Sequence, residues 1–351
     1  MTKNIVFCAD GTWNHPGETE DGLPADTNVY KFYRALVPSA NLSRHYDDGV
    51  GSDGTLLEKL NGGAFGDGLF NKIKQGYAAI ACDYQSGDRI YIFGFSRGAY
   101  TARSLAGMIA TCGLPAPNKF SDQATLDAFN AYREHQNRQP LLDQLKVKYG
   151  NVDVKIAVVG VWDTVGALGI PDNLFENVDN QIYGFLDTAL HPNVQAAYHA
   201  LSIDERRNEF APTLWDSSIT SGQELVQIWF SGVHADVGGG YAETGLSDIT
   251  LGWMMANAAK NDLLFDPYTF QKYTTLDPKN ALDVIHDSWT PLWGFPTSRK
   301  IPPDSFIANS VSIRVENLQA YRPANLPNDY PNTLDSYHVA DVIGDPVVNL
   351  S

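Results

Sequence analysis

The segment Gly94-Phe95-Ser96-Arg97-Gly98 sets a serine between two glycines, at the end of an apolar run from Arg89 to Phe93 and just before a helix-compatible stretch from Ala99 to Ile109. A serine hydroxyl is a poor nucleophile at neutral pH, so it needs a base to take its proton and an acid to hold that base in one tautomer. Strand, sharp turn and helix in that order raise the hydroxyl above the edge of a sheet, with the Arg97 N–H facing the same space. Two more polar residues stand where an apolar run gives out: Asp163 after Val152–Trp162, and His234 after Glu224–Phe230. If the three runs are parallel strands, all three side chains leave one edge of one sheet. Ser96, His234 and Asp163 then read as nucleophile, base and acid of a serine hydrolase that cleaves carboxylic esters through an acyl-enzyme.

Other residues compete for these roles. His286, in Val284-Ile285-His286-Asp287-Ser288, and His338, in Tyr337-His338-Val339, fall late in the chain, where a histidine-bearing last loop belongs. His15, His45, His135 and His191 sit in polar or loop contexts, and His199 falls within an expected helix. Asp204 and Asp236 compete with Asp163 as the acid. The oxyanion formed on attack needs two preorganised N–H donors. Arg97 supplies one, and Gly11 or Thr12 the other, from the turn Asp10-Gly11-Thr12 that ends the first buried run, Asn4–Cys8. The same turn supports a different enzyme, an aspartyl-nucleophile phosphatase built on Asp10, although Cys8 stands where such enzymes carry a further aspartate. A third reading keeps the fold as a non-catalytic binding module.

These residues need a scaffold. Strands are expected over 4–8, 43–46, 89–95, 152–162 and 224–230. Helices are expected over Val29–Leu36, capped by Thr27-Asn28, and over Leu69–Cys82, Asp122–Glu134, Pro140–Tyr149, Val194–Arg207 and Ser247–Ala258. Asp47, Asp48 and Asp53 lie in a glycine-rich loop that reads either as a calcium site or as a solvated turn, and their spacing does not fit an EF-hand. No linker, repeat or break in composition divides the chain. The expected architecture is one α/β domain over residues 1–351, a mostly parallel central sheet flanked by helices, with cap insertions near 114–150, 167–222 and 265–310.

A chain of 351 residues, 43% hydrophobic and 19% charged, can bury a substantial core. Its formal charge of −16 repels a nucleic-acid backbone and an anionic lipid surface alike. If the substrate is a phospholipid, attraction must come from apolar contacts rather than from charge, in a transient encounter with a membrane surface. Cys8, Cys82 and Cys112 are odd in number and unclustered, which suits free thiols in a reducing compartment. No cofactor or metal is expected. The chain runs from Met1 straight into a core strand, with no signal peptide and no apolar run of about 18 residues, so a cytoplasmic protein, or one exported without a cleaved signal, is expected.

Taken together, the blocks Ile5–Asn14, Thr27–Val29, Tyr91–Ala106, Val161–Val165, Ala200–Arg206, Gly232–Tyr241 and Ile285–Ser288 resemble the bacterial and fungal α/β-hydrolase domain family that includes the type VI secretion phospholipase effectors. The resemblance implies an α/β-hydrolase-like fold and a serine esterase or lipase whose substrates include phospholipid acyl esters. It places Ser96, Asp163 and His234 within matching motifs. An intracellular or polyester-directed esterase stays open beside the phospholipase. In the usual hydrolase layout one strand separates the nucleophile strand from the acid strand. Here the acid falls on the very next strand and the histidine on the one after, so the layout is a variant or the strand count is short.

Overall fold

Along Arg89–Phe95 the apolar residues do not alternate with polar ones, because both faces are covered: Tyr91, Phe93 and Phe95 enter one buried cluster, and Ile90 and Ile92 another. That is the signature of a strand inside a parallel sheet with helices on both sides. The computed structural model describes residues 2–11, 14–49, 64–165, 188–332 and 337–347. Its strands are β1 (Asn4–Ala9), β2 (Thr19–Glu20), β3 (Leu23–Pro24), β4 (Leu42–Asp47), β5 (Arg89–Phe95), β6 (Ile156–Trp162), β7 (Val194–Ser202), β8 (Glu224–Phe230), β9 (Ser305–Ala308) and β10 (Tyr337–Ala340). Eight of them form one sheet in the order β10-β9-β8-β7-β6-β5-β1-β4, and every pairing in it is parallel. β2 and β3 form a separate small hairpin.

One face of the sheet carries the helices Asn28–Ala35 and Gly245–Lys260, with Phe32, Trp253 and Met254 packed among Tyr91, Phe93, Trp162 and Tyr198. The other carries Ala64–Asp83 and the elbow helix Arg97–Cys112, with Ile73, Ile80, Leu105 and Ile109 against Ile90, Ile92, Val159 and Val161. Each core side chain of this size contributes about 2–5 kcal/mol by the cost of truncating it to alanine. The helices Asp122–Arg133 and Arg138–Tyr149 lie against the far half of the elbow helix: Cys112 Sγ donates to Ala128 O at 3.3 Å, and a Cβ on Gly107 would come within 2.6 Å of the Tyr132 hydroxyl. At the carboxyl edge of the sheet, Phe210 meets the His234 ring and Ser288 Oγ donates to Glu205.

One expected helix is a strand. Val194–Ser202 is β7, hydrogen-bonded on both sides between β6 and β8, with Ala196, Ala197, Tyr198 and Ala200 buried. The strand count was therefore short by the one strand that separates the acid from the histidine. β6, which Asp163 follows, is nonetheless the direct neighbour of β5, which Ser96 follows, so on the expected assignment the layout is also a variant. Of the acidic loop, Asp53 lies outside the described residues. Asp47 is paired with Lys72, which also donates to the Asp48 backbone oxygen at 2.8 Å. Cys8 and Cys112 are buried free thiols and Cys82 is exposed. No described helix is long and apolar enough to cross a membrane.

Candidate active site

Ser96 sits between the last residue of β5 and the first turn of the elbow helix with φ 58° and ψ −123°, a conformation that costs a non-glycine residue on the order of 1–3 kcal/mol. The surroundings enforce it. The Ser96 N–H donates to Trp162 O of β6 at 3.0 Å, and a Cβ on Gly98 would lie 2.2 Å from Ala9 O and 2.4 Å from Asp10 O. The start of the helix is thus pressed onto the end of β1, which is why position 98 must be glycine. The Ser96 side chain does not cap its own helix.

Asp163 follows β6, is fully buried, and also has positive φ, 42°. Its N–H donates to Ala200 O at 2.7 Å. One carboxylate oxygen accepts from the Ser202 N–H at 3.0 Å and from Arg299 Nη1 at 2.6 Å; the other accepts from Arg299 Nη2 at 2.8 Å and faces His234 Nδ1 at 2.6 Å. Burial alone would raise this carboxyl. The bidentate Arg299 guanidinium and the His234 contact more than offset it and hold Asp163 well below the usual carboxylate range. Arg299 is itself buried and donates further to Ser202 O at 2.9 Å and Phe210 O at 2.5 Å.

His234 opens the short helix His234–Gly238 after β8. With Nδ1 donating to Asp163, Nε2 is left as the lone-pair nitrogen. Burial pushes its pKa below the ordinary imidazole value, although the Asp163 contact works the other way. The ring lies against Phe95, the residue before Ser96, with centroids 4.6 Å apart, and edge-on to Phe210 at 4.9 Å. Among the described residues no hydrogen bond joins Ser96 Oγ to His234; the contact between the two elements runs through Phe95. A Cβ on Gly238 would meet the Phe95 ring at 2.0 Å, so the glycine run after the histidine is what lets this turn close over β5.

The loop after β7 holds the histidine turn from below. Glu205, fully buried, accepts from the His234 N–H at 3.2 Å, from Ser288 Oγ at 3.0 Å and from Arg207 Nη2 at 2.8 Å. Burial would raise it, but Arg207 brings it down to about 2. Asp204 accepts from the Gly232 N–H at 2.6 Å. These acids position the turn, so Asp204 is not the partner of His234. Asp236 pairs with His286, Nδ1 to Oδ1 at 2.6 Å; that ring is stacked on Tyr241 at 3.7 Å, and its Nε2 lies 3.3 Å from Glu243. His199 accepts from the Thr164 N–H at 3.1 Å, and burial lowers its pKa to about 3. His338 belongs to edge strand β10.

The first turn differs in detail from expectation. The Gly11 N–H donates to Asp10 Oδ1 at 2.7 Å and so is already engaged, although a Cβ on Gly11 would stand 3.4 Å from the Ser96 Cβ. Thr12 lies outside the described residues. Asp10 Oδ2 accepts from Thr27 Oγ1 at 2.5 Å and Tyr46 Oη at 2.6 Å, and burial pushes the carboxyl up to about 6. A buried acid that braces three donors is a tie between β1, β4 and the Asn28 helix, a poor place for an attacking aspartate. Thr27 accepts from the Tyr30 N–H as the expected cap, and Asn28 Nδ2 donates to Val237 O, Ser247 O and Thr250 Oγ1, tying the histidine turn to the same helix. No group of three or more metal-ligating side chains occurs among the described residues.

Arg299 and Glu205 were not legible as site residues. Glu205 lies within one of the matching blocks, but nothing in Ser298-Arg299-Lys300 signals a buried cation whose partner is 136 positions away.

The model of the type VI secretion Tle1-like phospholipase effector catalytic domain matches residues 3–257. The uncharacterised protein YEL023C of Saccharomyces cerevisiae is 31% identical over 234 residues, which is 59% of this chain and 32% of that protein. Among solved structures, an uncharacterised protein from Pseudomonas aeruginosa has a TM-score of 0.49 at 17% identity, covering 92% of this chain and 51% of that one. The Tle1 effector bound to the VgrG spike has a TM-score of 0.37 at 18% identity, covering 68% and 51%. The chain spans about a third of the yeast relative and about half of each solved structure. With more than half its length matched, this chain belongs to the Tle1-like family of type VI secretion phospholipase effector catalytic domains.

Proposed function

We propose that the chain, acting as one domain, is a serine hydrolase of lipid acyl esters in which Ser96 is the nucleophile, His234 the base and Asp163 the acid. The observation that carries this reading is the buried His234–Asp163 pair at 2.6 Å, one ring away from a serine held in an elbow at φ 58°. Ser96 Oγ attacks the ester carbonyl as His234 Nε2 takes its proton, and Asp163 stabilises the imidazolium that forms. The carbonyl oxygen becomes an oxyanion held by the Arg97 N–H and a second donor from the 10–12 turn. Collapse expels the alcohol, protonated by His234, and leaves the acyl group on Ser96. Water, activated by the same histidine, then releases the fatty acid.

Membership of a phospholipase effector family favours a phospholipid acyl ester over a polyester as the substrate. Ser96→Ala should abolish p-nitrophenyl ester hydrolysis and leave the melting temperature within a few degrees. Undiminished hydrolysis by that variant would remove Ser96 from the nucleophile's place. A panel of phosphatidylcholine, triacylglycerol and polyester substrates decides the substrate class.

A further inference from the structure

Large apolar side chains in water usually occur singly. Leu292, 89% exposed, and Phe295, 92% exposed, are the two most exposed large hydrophobic residues among those described, and they share one short loop. From Ser288 to Ser298 that loop carries no charged residue, and its prolines at 291 and 296 limit its backbone freedom. A 3-10 turn over Pro291–Trp293, followed by Gly294 at φ 72°, lifts Leu292 and Phe295 outward. The inner side is anchored. Trp293 meets Phe210 edge-on at 5.5 Å, Phe210 meets the His234 ring at 4.9 Å, and the Arg207 guanidinium lies 3.5 Å over Phe210 and 5.3 Å from Trp293. The bare outer tip is thus fixed by two aromatic contacts to the histidine of the site.

We infer that the loop 289–296 is the surface by which the protein docks on a bilayer of zwitterionic lipid, with Leu292 and Phe295 entering the acyl region beside the mouth of the site. This rests on the ester-hydrolase reading of Ser96. A chain of net charge −16 is repelled by anionic lipid and gains nothing from charge at a zwitterionic surface, so attraction has to come from inserted apolar side chains. An uncharged tip held by prolines and a glycine turn supplies them with little ordering cost. Its place next to His234 brings the ester bond of a membrane lipid within reach of the site without the lipid leaving the bilayer.

The test uses the full chain carrying Ser96→Ala, which cannot consume the vesicles, in flotation with phosphatidylcholine vesicles. Adding Leu292→Ser and Phe295→Ser should weaken binding by about tenfold or more. Leu264→Ser should leave binding unchanged, since Leu264 is 72% exposed but lies two residues past Asp262, which binds Asn4 at the opposite edge of the sheet. With Ser96 intact, the double loop variant should hydrolyse soluble p-nitrophenyl acetate at the parent rate. The inference is overturned if the Ser96→Ala protein does not float, or if the loop variant floats as well as its parent. It is equally overturned if the loop variant only converts a dimer to a monomer on size exclusion with vesicle binding untouched. A parent inactive on p-nitrophenyl acetate that still binds through the loop would instead strike down the catalytic reading and leave the docking surface standing.

Discussion

Two histidines of this protein each place Nδ1 2.6 Å from an aspartate, and the two aspartates belong to different parts of the site. His234 and Asp163 are buried together, with Arg299 closing the carboxylate from behind and Phe95 joining the ring to the serine elbow. His286, partly exposed, pairs with the buried Asp236 of the same turn. There Nε2 is directed to Glu243, itself half exposed, and the ring is stacked flat on Tyr241. Distance to a carboxylate is therefore no mark of a base. The His234 pair, whose Nε2 has no hydrogen bond among the described residues and whose ring borders Phe95 beside Ser96, differs from the pair whose outer nitrogen is already taken. Asp236 also accepts from the Val233 N–H at 2.9 Å, so the second pair braces the turn that carries His234.

The sharpest way to break this comparison is to truncate each ring. His234→Ala should lower kcat for a p-nitrophenyl ester by about four orders of magnitude, whereas His286→Ala, which loosens a brace, should cost less than about tenfold. Equal losses would make the two pairs a single unit. Next in size is the cation behind Asp163. Arg299→Met leaves a buried carboxylate with one partner fewer and should lower the unfolding free energy by about 3–5 kcal/mol in urea titrations. Removing Arg206 from its exposed pair with Asp287 should cost less than about 1 kcal/mol.

The smallest effect is read from pH. Burial depresses His234, so the acid limb of kcat/KM should fall below pH 6.5, and His286→Ala should not move it. For stability the sign is the same. The depressed Asp163 contributes stability that is present above its unfolded pKa of about 3.9 and is lost as pH falls through its lower folded value. Stability should therefore decline as pH falls below about 4, and Arg299→Met, in which Asp163 is less depressed, should start lower and decline less steeply over that range.

The residues legible in the sequence were those that end a buried run: Ser96, Asp163 and His234 each stand where β5, β6 and β8 give out, and a parallel sheet sends such ends to one edge. β7 was not legible. Ala196, Ala197 and Ala200 carry helix propensity, and only the tight space between β6 and β8 makes an alanine-rich run a strand. β9 and β10 have four residues each, too few for a period to show. Arg299 escaped because its role exists only across a contact between distant segments. The engagement of Gly11 by Asp10 escaped because a turn sequence does not say which way its own carboxylate folds back.

The most direct measurement is labelling with a fluorophosphonate, which forms a covalent bond only with a serine whose proton a neighbouring base removes. Intact mass and peptide mapping should show one adduct, on Ser96, formed at the parent rate in His286→Ala and not formed in His234→Ala. No adduct, an adduct on another serine, or labelling of Ser96 undiminished by loss of His234 would contradict the account.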